Sequence, residues 1–79
     1  MRRRDNGQPI RDAMEAAGLS IPALARATIE IDGYGISPAT VGAYVATGTS
    51  GREKPRKRTA DLIAAVLHRP VEEFFEDAA

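Results

Sequence analysis

Cysteine is absent from the 79 residues. Without a thiol there is no disulfide, no thiol catalysis and no thiolate metal site. Histidine occurs once, as His68, and one imidazole cannot assemble a metal site. No apolar run approaches the roughly 20 residues that span a bilayer, the longest aliphatic segment being Leu62 to Leu67. Residues 1–17 carry arginines but lack the apolar stretch of a signal peptide. Internal repeats and low-complexity segments are missing too, as are a nucleophile–base pair and a phosphate-cradling glycine loop. These absences argue against an enzyme, a metal, a cofactor, a small-molecule ligand and a membrane partner. They leave a soluble protein, expected in the cytoplasm. A chain this short encloses a single core and buries only about 60% of its unfolded surface.

Net charge is lacking as well, with 11 Lys/Arg against 11 Asp/Glu, but the balance hides an asymmetry. Residues 1–58 hold ten basic and six acidic groups, a balance of +4, and residues 59–79 hold one basic and five acidic groups, a balance of −4. The positive half is concentrated in Arg2-Arg3-Arg4 and in Arg52, Lys54, Arg56, Lys57 and Arg58. Such separation predicts a dipole with one end attractive to polyanions. A pair of solvated tails accounts for the same counts.

What is present is helical periodicity. Ile10, Ala13, Met14 and Ala17 form the apolar stripe of a first helix, with Pro9 in its first turn and Gly18 as its stop. Ser20 is placed to cap a second helix, whose face is Leu24, Ala25, Thr28 and Ile31 with Ile21. Its end has two readings. Ile29-Glu30-Ile31, Asp32-Gly33 and Tyr34-Gly35-Ile36 fit a small hairpin with a primed turn; the helical spacing from Leu24 to Ile31 favours a helix stopping near Gly33. Ser37-Pro38 opens a third helix with Val41, Tyr44 and Val45 inward, ending at Gly48. Residues 48–58 read as a loop. Thr59 caps a fourth helix with Leu62, Ile63, Val66 and Leu67 apolar, and Pro70 opens a short fifth with Val71, Phe74 and Phe75. The expected fold is an all-α five-helix bundle with no strand. Its core comprises Ile10, Met14, Leu19, Leu24, Ala25, Ile36, Val41, Tyr44, Leu62, Ile63, Val66, Leu67, Val71 and Phe74.

A helix-turn-helix needs an apolar and a small residue on its first helix, a glycine and an apolar anchor in the turn, and buried positions three apart on its second helix. Leu24-Ala25, Gly35-Ile36 and Val41 with Tyr44 supply these in order. With GLSIPALARAT, GISPATVGAYVATG and PRKRTADLIAAVLHRPVEEFF, the chain resembles the lambda-repressor/Cro-type (XRE-like) helix-turn-helix family over residues 18–76. The resemblance implies a lambda-repressor-like five-helix bundle and sequence-specific binding of double-stranded DNA by a phage-type repressor or Cro-like transcriptional regulator. The setting would be a bacterial cell or a phage-infected host, and family members often form two-fold dimers. One departure stands out. Gly35 lies ten residues after Ala25, so Ile29 to Tyr34 reads as an insertion in the turn.

Residue by residue, the resemblance assigns base-facing positions to Ser37, Pro38, Ala39, Gly42, Ala43 and Ala46, with Thr40 and Thr47 flanking, on a reading helix spanning Ser37 to Thr47. This surface lacks Arg, Lys, Asn and Gln, the side chains that make bidentate base contacts. Hydroxyl contacts and methyl packing remain, with specificity shared with DNA shape. Arg52, Lys54, Arg56, Lys57 and Arg58 would reach flanking phosphates. Residues 1–8 would be a flexible arm bringing Arg2, Arg3 and Arg4 to a groove, and residues 9–79 the binding domain. Arg26 is a further phosphate candidate. His68 reads as structural or solvent-facing, and the acidic end as turned away from a duplex. Phe74 and Phe75 are adjacent, so one is expected in the core and the other at a homodimer contact. The alternative function is a protein-interaction module, such as an antitoxin or a host-directed inhibitor, reusing the fold.

Overall fold

A computed structural model describes residues 1–47, 51 and 54–77. The described chain is mostly helical: α1 (Gln8–Ala17), α2 (Ile21–Asp32), α3 (Pro38–Val45) and α4 (Lys57–Leu67). A two-residue strand near each end, β1 (Arg2–Arg3) and β2 (Phe75–Glu76), closes the fold as an antiparallel pair.

Local chemistry explains the boundaries. Prolines occupy the first turns of α1, α2 and α3, where a missing N–H costs nothing. Ser20 Oγ accepts the Ala23 N–H at 3.3 Å and Ser37 Oγ the Thr40 N–H at 3.1 Å, caps worth about 1 kcal/mol each. Gly18 and Gly33 close α1 and α2 in left-handed geometry. The helical reading of residues 29–32 therefore holds and the hairpin does not form: the extra residues lengthen α2 by about a turn. Gly35 is required where it stands. Its φ is +67°, and a Cβ there would lie 2.5 Å from Ile29 Cγ1 and 2.8 Å from Thr28 Oγ1. Thr28 is itself buried, donating to Ala25 O at 2.6 Å and accepting the Ile36 N–H at 2.9 Å, which ties α2 to the turn.

Gly42 is the opposite case. It sits inside α3, where among the described residues a Cβ would meet only Ile21 Cδ1 at 3.9 Å. Gly42→Ala is expected to raise stability by about 0.5–1 kcal/mol, read as a higher urea midpoint at unchanged slope.

The core follows the apolar stripes except at Ala17 and Ile31, which are exposed where α1 and α2 end. Ile10 and Met14 of α1, Leu24 and Ala25 of α2, Val41 and Tyr44 of α3, and Ile63 and Leu67 of α4 form one buried cluster with Ala60, Ala64, Phe74 and Phe75. Leu62 is also buried, and Leu19, Ile36, Val66 and Val71 are half-buried against the cluster.

Several expectations are corrected. The fifth helix is a single 3₁₀ turn, Val71–Glu73, after which the chain extends into β2. α3 stops at Val45, so Ala46 and Thr47 follow the helix expected to span Ser37 to Thr47 rather than belong to it. Gly48, its expected terminator, lies outside the described residues. α4 begins at Lys57 with Arg56 in the cap position, and Thr59 is buried in its first turn. Phe74 and Phe75 are both buried, at 1% and 2% exposure. The chain leaves helical geometry between them, so Phe75 turns onto Tyr44, edge to face at 6.2 Å, leaving neither phenylalanine as a dimer contact.

Residues 1–8 are not a free arm. Arg3 pairs with Phe75 on the inner face of the strand pair and is 1% exposed, while Arg2 pairs with Glu76 on the outer face. Arg4 donates from Nε to Glu72 O at 2.7 Å and forms an ion pair with Glu76 at 3.2 Å. The N-terminal arginines and the acidic end, opposite in charge and remote in sequence, thus lie side by side. The Arg2–Arg4 cluster therefore does not form a pole separate from the acidic end.

Candidate nucleic-acid interface

α3 packs on α2 with Val41 and Tyr44 buried, as are Leu24 and Ala25 beneath. The other side of α3 is left outward. Ser37, Pro38, Ala39 and Thr47 are exposed, and Thr40, Gly42, Ala43 and Ala46 are half-buried. Ser37 Oγ and Thr40 Oγ1 lie 3.0 Å apart, and Ser37 also caps the helix, so these hydroxyls are partly engaged within the protein. The methyls of Ala39 and Ala43 and the Pro38 ring make up much of what remains.

The other end of α3 is held by two guanidinium groups. Arg3 donates to Tyr44 O at 3.1 Å and to Ala46 O, and also to Asn6 Oδ1 at 3.0 Å. Arg11 donates to Val45 O at 2.5 Å and to Asn6 O at 2.9 Å. Cations here satisfy carbonyls that a helix C-terminus leaves open and complement its dipole. Arg11 carried no sequence motif. Only the fold reveals it, because its partner lies in a segment 34 residues away.

The cations divide by location. Arg56 and Arg58, at the start of α4, line one groove with Thr40 and Tyr44 of α3, together with Gly35, Ile36 and Thr59. Lys54 joins this side, since the Tyr44 hydroxyl donates to its carbonyl at 3.1 Å. Lys57 Nζ pairs with Asp61 at 2.7 Å, which raises the Lys57 pKa above its ordinary value. Arg58 bridges to the end of α2, with Nε and Nη2 at 3.0 and 2.7 Å from Asp32 Oδ2. Lys54, Arg56, Arg26 on α2 and Arg2 are exposed, and among the described residues their side chains have no polar partner. Arg3 holds the opposite end of α3 and Arg4 is tied to Glu72 and Glu76, so both are committed to the fold. Arg52 lies outside the described residues.

Comparison with protein-family models, with curated proteins and with solved structures finds no match to this chain. The site therefore rests on its own geometry.

Asp32 organises the turn between α2 and α3. Its Oδ1 accepts the N–H groups of Gly35 at 2.7 Å and Tyr34 at 3.0 Å. Those bonds, Gly35 first, hold its carboxyl below the ordinary aspartate pKa, with Arg58 adding to the effect. Around this turn Ile29, Ile31 and Tyr34 are exposed, Tyr34 to 87%. His68 is exposed and closes α4 in left-handed geometry. Among the described residues no cluster of His, Cys, Asp or Glu is arranged to hold a metal, and no helix is long and apolar enough to cross a membrane.

Proposed function

We propose that this protein is a sequence-specific double-stranded DNA-binding regulator of the repressor or Cro-like type, with α3 entering the major groove. One observation carries the reading. α3 buries Val41 and Tyr44 against α2, while its opposite side is exposed or half-buried, flanked by Lys54, Arg56 and Arg58. A helix held on one face and open on the other, with cations at its shoulder, is what groove entry and phosphate contact require. The resemblance to the lambda-repressor/Cro-type family points the same way.

The smooth alanine surface of α3 suits thymine methyls better than polar base edges. Exposed cations beside it supply affinity without sequence information. Selection of bound duplexes from a random pool, followed by binding at two salt concentrations, tests the proposal. The expected result is an enriched motif whose affinity falls steeply with salt, and falls further on Lys57→Ala with Arg58→Ala. No enrichment and no salt-dependent binding would reject it.

A protein-interaction module is the second reading, favoured by the exposed Ile29, Ile31 and Tyr34 at the end of α2. It requires a stoichiometric protein complex that Tyr34→Ala weakens, in a chain with no affinity for duplex DNA.

A further inference from the structure

Arg58 differs from the cations around it. Lys54 and Arg56 extend from the surface with no polar partner among the described residues, and Lys57 is paired along its own helix. Arg58 is fixed across two elements. Its Nε and Nη2 meet Asp32 Oδ2 at 3.0 and 2.7 Å, and Nη2 also donates to Gly35 O at 2.8 Å. The carboxylate that holds it is fixed in turn by the Gly35 and Tyr34 N–H groups on its other oxygen. Only Nη1 remains without a partner among the described residues. Arg58 lines the groove that also contains Thr40, on the flank of α3.

Two physical consequences follow. An arginine paired with a carboxylate is locally neutral, so it gains less than its neighbours from a phosphate. An arginine already immobilised has surrendered the rotamer freedom that a free one gives up on binding. Both suit a directed hydrogen bond to a neutral acceptor. The outward side of α3 has few such donors of its own, since Ala39, Ala43 and Gly42 carry none and one of the Ser37 and Thr40 hydroxyls is spent on the other.

We propose that Asp32 is a positioning residue that aims Arg58 Nη1 at a base edge in the groove occupied by α3, guanine O6 or N7 being the acceptor class. The lengthened end of α2 then has a purpose, because the added residues carry the carboxylate that orients this donor. The inference rests on the DNA-binding reading above. A single nitrogen discriminates less than a two-nitrogen fork, which places the expected effect at the low end of the range for a specific base contact.

The test compares the wild type with Asp32→Asn, Arg58→Ala, Arg58→Lys and the double variant Asp32→Asn with Arg58→Ala. Fluorescence anisotropy follows binding to a selected duplex and to a scrambled duplex of equal length, at two salt concentrations. Asparagine keeps an amide oxygen for the Tyr34 and Gly35 N–H groups, and unchanged thermal midpoints verify that the turn survives. Asp32→Asn and Arg58→Ala are each expected to weaken the selected duplex by roughly fivefold to tenfold. The double variant should be no worse than Arg58→Ala alone. Arg58→Lys should retain scrambled-duplex binding and lose the selectivity. On the scrambled duplex, Asp32→Asn should bind as well as the wild type or better, a negative charge having been removed.

Three results would overturn the proposal. Tighter binding of both duplexes by Asp32→Asn would make the carboxylate a competitor that sequesters Arg58. Equal weakening of both duplexes by Arg58→Ala, with a shallower salt dependence, would make Arg58 a phosphate contact. An Asp32→Asn effect that persists without Arg58 would show that Asp32 acts through the fold. A wild type that does not distinguish the duplexes rejects the parent reading instead, whereas a selective wild type with an indifferent Asp32→Asn rejects this inference alone.

Discussion

Replacing Arg3 by methionine is expected to destabilise the domain by about 3 kcal/mol, because each buried carbonyl left without its donor costs about 1–3 kcal/mol. At this chain length such a loss lowers the thermal midpoint by roughly 12–24 °C. The side chain is 1% exposed and its guanidinium serves Tyr44 O, Ala46 O and Asn6 Oδ1. Methionine can fill much of the volume but offers no hydrogen-bond donor. Arg2, one residue away on the outer face of β1, provides the control: Arg2→Ala should change stability by no more than about 0.5 kcal/mol. A solvated arm would instead leave both substitutions silent in thermal unfolding. The consequence reaches α3, since the carbonyls that Arg3 holds are those at its end.

Ala39→Glu is expected to separate stability from binding. Ala39 is exposed in the first turn of α3, where a carboxylate meets the positive end of the helix dipole and stabilises by about 0.3–1 kcal/mol. Facing a duplex, the same carboxylate is repelled by phosphates and loses its hydration in the groove, so binding should weaken by about 100-fold. Unfolding curves and anisotropy on one preparation measure both quantities. A folded variant with undiminished affinity would remove α3 from the interface. If Ile29, Ile31 and Tyr34 are instead the working surface, Ala39→Glu should be silent and Tyr34→Ala should not.

The features readable in the sequence are those governed by local chemistry. Ser20 and Ser37 as caps, the early prolines, and the stripes through Leu24, Val41 and Ile63 depend on spacing within one element, and these hold except at Ile31, which is exposed. What was not readable depends on contacts between distant segments. Arg2-Arg3-Arg4 has the composition of a solvated arm, and nothing local shows that Phe75 offers Arg3 a strand partner more than 70 residues away. Phe74 and Phe75 look mutually exclusive on a continuous helix, and they become compatible only because β1 gives β2 something to pair with. The same limit applies to Asp32 and Arg58. Each looks like a surface charge, and their meeting depends on how α2 ends and where α4 begins. Of the positions expected to face bases, Ala46 lies past the helix end, where its carbonyl accepts from Arg3, a residue no helical periodicity connects to it.

Amide chemical-shift mapping of the labelled protein titrated with a selected duplex addresses the central claim most directly. The account predicts the largest changes at Ser37, Ala39, Thr40 and Ala43 and around Arg56 and Arg58, with the α1 surface near Ala16 and Ala17 unmoved. Changes concentrated on α1 and the end of α4, with the outward side of α3 silent, would contradict it.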